Sequence, residues 1–175
     1  MSNTKADALG FIKREGPILP SQLATELNTN ILFASAILSE FVSKKEVILT
    51  NVKRGGSPFY YVKGQEFKLE ELGIHLSGKP KEIFNILKED KVIRDKSAEA
   101  WQRVALKEIK DFAIPLNVNI SGSYELFWKW YGTDNDEIKK IIKEILKPSR
   151  KLIRHKEDNP QELEDKKNEL DSTVL

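Results

Sequence analysis

The chain has 175 residues, 39% hydrophobic and 32% charged, with a net charge of +2 at pH 7. That composition suits one ordinary globular domain or two small ones, and so weak a charge does not by itself imply nucleic acid. Cysteine is absent and only His75 and His155 are present, which excludes disulfides and thiolate metal sites and makes an all-protein zinc site improbable. No apolar run approaches membrane-spanning length and the N-terminus lacks a signal-peptide core, so a cytoplasmic protein without membrane contact is expected.

In chain order, a first helix is expected from about Ala6 to Glu15, with Gly16 as its C′ stop and Gly16-Pro17 breaking the chain. Ile18-Leu19 is a candidate short strand. Pro20 fits the first turn of a second helix, Ser21 to Leu27. Asn28-Thr29-Asn30 makes a turn, and Thr29 or Asn30 caps a third helix reaching about Lys45. Its apolar stripe is Ala34, Ile37, Leu38, Phe41 and Val42, which leaves Asn30, Phe33, Ala36, Glu40 and Ser43 facing outward. Two β-prone runs follow, Val47 to Val52 and Pro58 to Val62. Between them Lys53-Arg54-Gly55-Gly56-Ser57 reads as a basic, glycine-rich hairpin tip.

Three helices with a three-residue turn, then a hairpin, make the helix-turn-helix signal. On this layout residues 6–64 resemble the winged-helix superfamily of compact bacterial and archaeal regulators. The stretch Gly56-Ser57-Pro58-Phe59-Tyr60-Tyr61, continuing through Gly64-Gln65-Glu66, is similar to that of uncharacterised archaeal winged-helix proteins. The resemblance implies docking on double-stranded DNA through helix 30–45 and the wing 52–58. The expected contacts are Asn30, Phe33, Ala36, Lys44, Lys45, Lys53, Arg54 and Ser57. The charge distribution agrees with it: residues 1–64 hold eight Lys/Arg against five Asp/Glu, whereas 65–147 balance at fifteen each. Lys44, Lys45, Lys53, Arg54 and Lys63 are expected to cluster near the wing, although solvated charges bordering a hairpin would look the same. The third helix has no arginine, and only Asn30 could read a base edge early in it, so specific readout is not evident.

Residues 65–78 form a connector with helical character at Phe67 to Leu72. Residues 79–147 read as helix, short strand, helix, hairpin, helix: Lys79 to Asp90, Val92-Ile93, Ala98 to Lys110 capped by Ser97, Phe112 to Val118 with Tyr124 to Tyr131, and a last helix after a Thr133/Asp136 capping box. Pro115 places its strand at an edge or bulge. The whole is α+β and mostly helical, a tandem of two winged-helix modules, the second argued from layout alone. In Phe127-Trp128-Lys129-Trp130-Tyr131 one face must be core, and the other either stacks bases or is itself covered. Residues 148–175, basic to Lys156 and then acidic, should form a disordered tail or loose solvated helix.

No phosphate loop, nucleophile elbow or metal-ligand spacing is present, so neither an enzyme nor a cofactor is expected. His75, in an apolar connector, reads as a packed histidine. Three functions remain. The first is a duplex-DNA-binding regulator or chromosome-associated factor, nucleoid-associated and able to pair half-sites as a homodimer. The second is an adaptor binding a protein partner through Leu32, Phe33 and Ala36. The third is an RNA or single-strand binder using the aromatic hairpin.

Overall fold

The computed structural model of the protein describes residues 2–147, and the tail expected over 148–175 lies outside them. The described residues form an α+β structure with small antiparallel sheets. Helix α1 (Ser2–Glu15) starts before the expected Ala6 and buries Ala8 and Ile12, one turn apart. Gly16 ends it, but not as a left-handed C′ residue, since its φ is not positive. Close approach requires the glycine: a Cβ there would lie 2.6 Å from both the Gln65 Oε1 and the Ile12 carbonyl. The Gln65 amide donates to the carbonyls of Ile12 and Lys13 at 3.0 and 2.9 Å, adding to the Gly16 N–H that the Ile12 carbonyl already accepts at 2.8 Å.

Helix α2 (Pro20–Glu26) begins on its proline, whose missing N–H costs nothing in the first turn. Helix α3 (Ile31–Ser43) is capped by Asn30 rather than Thr29, the Asn30 Oδ1 accepting from the Phe33 N–H at 2.8 Å. It ends two residues short of Lys45, which takes φ +60°. Strands β1 (Ile48–Arg54) and β2 (Ser57–Tyr61) form the hairpin. Its turn is Gly55-Gly56 alone, with φ of +57° and +86°, values that a side chain would strain. Lys53 and Arg54 are thus strand residues, opposite Pro58 and Ser57, rather than part of a looser tip. Ile18 pairs with Tyr60 through two backbone bonds of 2.9 and 2.8 Å, as a third short strand.

A 3-10 segment (Glu66–His75) leads to α4 (Gly78–Asp90), β3 (Val92–Arg94), a 3-10 turn (Asp95–Ser97), α5 (Ala100–Glu108), β4 (Ala113–Ile120), β5 (Ser123–Trp130) and α6 (Asn135–Leu146). The expected caps move by one or two residues. Ser97 closes the 3-10 turn, so Glu99 takes the N-cap of α5, its N–H donating to the Gln102 side chain at 2.8 Å. Asp134 caps α6 by accepting from the Asp136 N–H at 2.9 Å, while Thr133 is buried beneath it. The sheet order is β3-β5-β4, which leaves Pro115 on the edge strand β4. In both halves the short strand lies beside the second strand of the hairpin: Ile18 beside β2, β3 beside β5.

Alternation along β2 divides the hairpin between two cores. Tyr60 packs with Ala8, Ile12, Leu23, Leu38 and Phe41. Phe59 and Tyr61 face the other way, into a cluster with Leu72, Phe84, Leu106, Phe112, Trp128 and Trp130. The second half therefore covers the back of the first hairpin. The β5 aromatics are also covered on both faces, with Trp128 and Trp130 in that shared cluster and Phe127 against Ile138 and Ile142 of α6.

Candidate nucleic-acid interface

The end of the β1–β2 hairpin projects while its base is fixed. Between Leu49↔Tyr60 and Lys53↔Pro58, four steps along β1 match two along β2, so β1 carries a bulge. Several of its polar groups find partners outside the regular ladder. The buried Thr50 hydroxyl accepts from the Phe59 N–H at 3.0 Å and donates to the Val52 carbonyl at 2.7 Å. On the other edge the Asp111 carboxylate accepts from the Asn51 and Val52 N–H groups at 2.8 and 2.7 Å, and from the Asn51 amide at 3.2 Å. Bonds from a carboxylate to backbone N–H are charge-assisted and short. This clamp reaches across about 60 residues of sequence and resembles no local motif, so sequence reasoning had no signal for it.

Past the clamp, Lys53 and Arg54 are exposed and enter no ion pair among the described residues. Ser57, opposite Arg54, is half-buried. Lys44, Lys45 and Lys63 do not join them. They flank the base of the hairpin, whereas Lys53 and Arg54 stand at its far end. The five residues of β2 put roughly 13 Å between the two groups. The expected basic cluster is in fact a free tip and a separate base.

At the base, Lys44 is not free. Glu40 pairs with Lys44 and with Lys5 of α1, each at 2.7 Å. Hydrogen bonds from both lysines pull the Glu40 carboxyl down to about 2, and Glu40 in turn raises the Lys44 ammonium. The Glu40/Lys44 spacing of four was legible in the sequence; the arrival of Lys5 was not. Asn30 commits its Oδ1 to the cap, leaving its amide N–H groups as donors. The outward face of α3 is chiefly apolar. Leu32 is 81% exposed, Ile31 57% and Phe33 43%, with exposed Ala36 one turn on. Phe33 and Ala36 border a groove of about 230 Å³ that also meets Thr4, Lys5, Ile37 and Glu40.

The remaining candidates are structural. His75 stacks on Phe59 with centroids 5.2 Å apart. The β5 aromatics are core, and no stacking platform is left on Trp128, Trp130 or Phe127. Among the described residues no group of three or more His, Asp or Glu could hold a metal ion, and no helix is long and apolar enough to cross a membrane. The chain matches no family model, no curated protein and no solved structure.

Proposed function

We propose that the protein binds double-stranded DNA, as a transcription regulator or chromosome-associated factor, through a winged helix-turn-helix built by residues 6–64. The observation that carries this reading is the pair of exposed cations Lys53 and Arg54, without an ion pair among the described residues, on a hairpin whose base is held on both edges. Support also comes from the order helix, short strand, two helices, hairpin, and from its approximate recurrence in residues 79–147 as a second such module. In this reading Lys53 and Arg54 displace counterions from two phosphates, the Ser57 hydroxyl and Lys45 add backbone contacts, and the start of α3 enters the major groove. Phe33 and Ala36 touch thymine methyl groups, and the Asn30 amide donates to a base edge. Lys44, neutralised by Glu40, adds little. Binding of this kind is phosphate-directed and only weakly selective for sequence. The protein would reside with the chromosome and needs no cofactor.

Replacing both tip cations, Lys53→Ala with Arg54→Ala, is expected to weaken binding to every duplex. It should also flatten the plot of log K against log salt by about 1.8, two phosphates' worth. A fluorescence-anisotropy salt titration measures this, and an unchanged slope rejects the wing as a contact.

One observation favours a second reading, a docking site for a protein partner: the exposed Ile31-Leu32-Phe33 triplet. Phe33→Glu separates the two. For a duplex contact the added anion lowers DNA affinity; for a protein-docking face it abolishes complex formation, and no DNA binding exists at physiological salt to be lost.

A further inference from the structure

Helix α5 presents a face unlike that of α3. Ala100, Arg103, Val104 and Lys107 recur at i, i+3, i+4, i+7 and are all exposed, while Ala105 and Leu106 turn into the core. Lys110 follows just beyond the helix and is also exposed. None of Arg103, Lys107 and Lys110 enters an ion pair among the described residues. Between Ala100 and Asp111 the acidic side chains are Glu108 and Asp111, and Asp111 already receives the N–H groups of Asn51 and Val52. Through that contact Lys110 and Lys53 each stand one residue from a hydrogen-bonded pair, so their backbones are on the order of 10–15 Å apart. A duplex carries a phosphate charge about every 3.4 Å of axis on each strand, so it can meet both groups.

From this arrangement we infer that the exposed face of α5, through Arg103, Lys107 and Lys110, is a second duplex-DNA contact. It lies next to the Lys53/Arg54 wing tip and is coupled to it by the Asp111 clamp. The inference rests on the duplex-binding reading of the wing. It adds that the footprint crosses from the first half to the second, and that the second half is not a passive support. Charge selects the occupant: Lys53, Arg54, Arg103, Lys107 and Lys110 are all exposed and enter no ion pair among the described residues, and the apolar residues on the same face of α5 are only Ala100 and Val104. That composition complements a polyanion and not an apolar protein face.

The test uses the full chain and a 30-base-pair duplex of mixed sequence, with anisotropy read from 50 to 200 mM salt. Arg103→Ala with Lys107→Ala is expected to flatten the salt slope by about 1.8 and to lower affinity at 150 mM salt roughly 10- to 30-fold. The charge-matched control Lys140→Ala with Lys143→Ala, on the exposed side of α6, should leave the slope in place. Circular dichroism confirms folding, which exposed positions leave intact. If the α5 pair has no effect while Lys53→Ala/Arg54→Ala does, the α5 contact falls and the wing stands. If the α5 pair acts and the wing pair does not, the wing reading falls and α5 is the primary contact. Equal loss in the α6 control reduces the effect to net charge and overturns the assignment. Binding of single strands in preference to duplex, or of neither, overturns both.

Discussion

The helices that precede the two hairpins, α3 and α5, hold corresponding places in chain order and carry opposite surfaces. The first shows Ile31, Leu32, Phe33 and Ala36 to solvent, and the lysine that follows it, Lys44, is paired with Glu40. The second shows Arg103 and Lys107, both unpaired among the described residues, around Val104. The helix that leads into a hairpin is filled in the two places with side chains suited to different neighbours. The hairpins separate similarly. The first ends in two cations that enter no ion pair among the described residues, while the second ends in the polar turn Ser121-Gly122 and gives Phe127, Trp128 and Trp130 to the core.

The sharpest way to break this comparison is to ask whether the halves are separate bodies. Phe112 is fully buried, packed edge-on to Phe84 at 4.7 Å and stacked on Trp130 at 5.8 Å, in the cluster that also holds Phe59 and Tyr61. Phe112→Ala is expected to cost about 3–5 kcal/mol. Urea unfolding followed by tryptophan fluorescence and by far-UV circular dichroism should still give one shared transition. Two resolved transitions would mean the halves fold independently.

The clamp comes next. Asp111→Ala strips partners from the Asn51 and Val52 N–H groups, at a cost of about 1–3 kcal/mol. Hydrogen exchange should accelerate at those two amides first, and DNA affinity should fall because wing and α5 are no longer held together. Unchanged exchange there would show that the bulge is fixed by Thr50 alone.

The smallest effect belongs to Glu40. Glu40→Gln removes an anion and frees Lys5 and Lys44, so the salt slope for DNA should steepen by one to two contacts if the base of the hairpin meets phosphate. Its acid dependence has a definite sign. The folded-state value of about 2 lies below the ordinary 4.5, so the stabilisation is present above pH 4.5 and lost as pH falls toward 2. The difference in melting temperature between wild type and Glu40→Gln should be slight at pH 6 and vanish by pH 2.

Much of the local structure was written in periodicities. The 3.6-residue stripe Ala34-Ile37-Leu38-Phe41 located α3, and alternation with paired glycines located the first hairpin. Pro115 foretold the edge position of β4. The Arg103/Lys107 spacing was equally open to reading, but a balanced count of fifteen against fifteen over residues 65–147 hid it, because a count does not say which charges are paired. Caps were less legible: Ser97 and Thr133 are good capping residue types, yet Glu99 and Asp134 stand where the helices begin.

Chain order alone determined which segments are helix and strand and where the turns fall, since those choices depend on residues a few positions apart. Tertiary structure decided which cations remain free. Lys44 meets Glu40 and Lys5 once α1 packs beside α3, and Lys53 and Arg54 stay clear because Asp111, sixty residues on, holds β1 from its other edge. A carboxylate looks the same in a sequence whether it meets water or a backbone N–H, and only the folded path of the chain brings the partner within 3 Å.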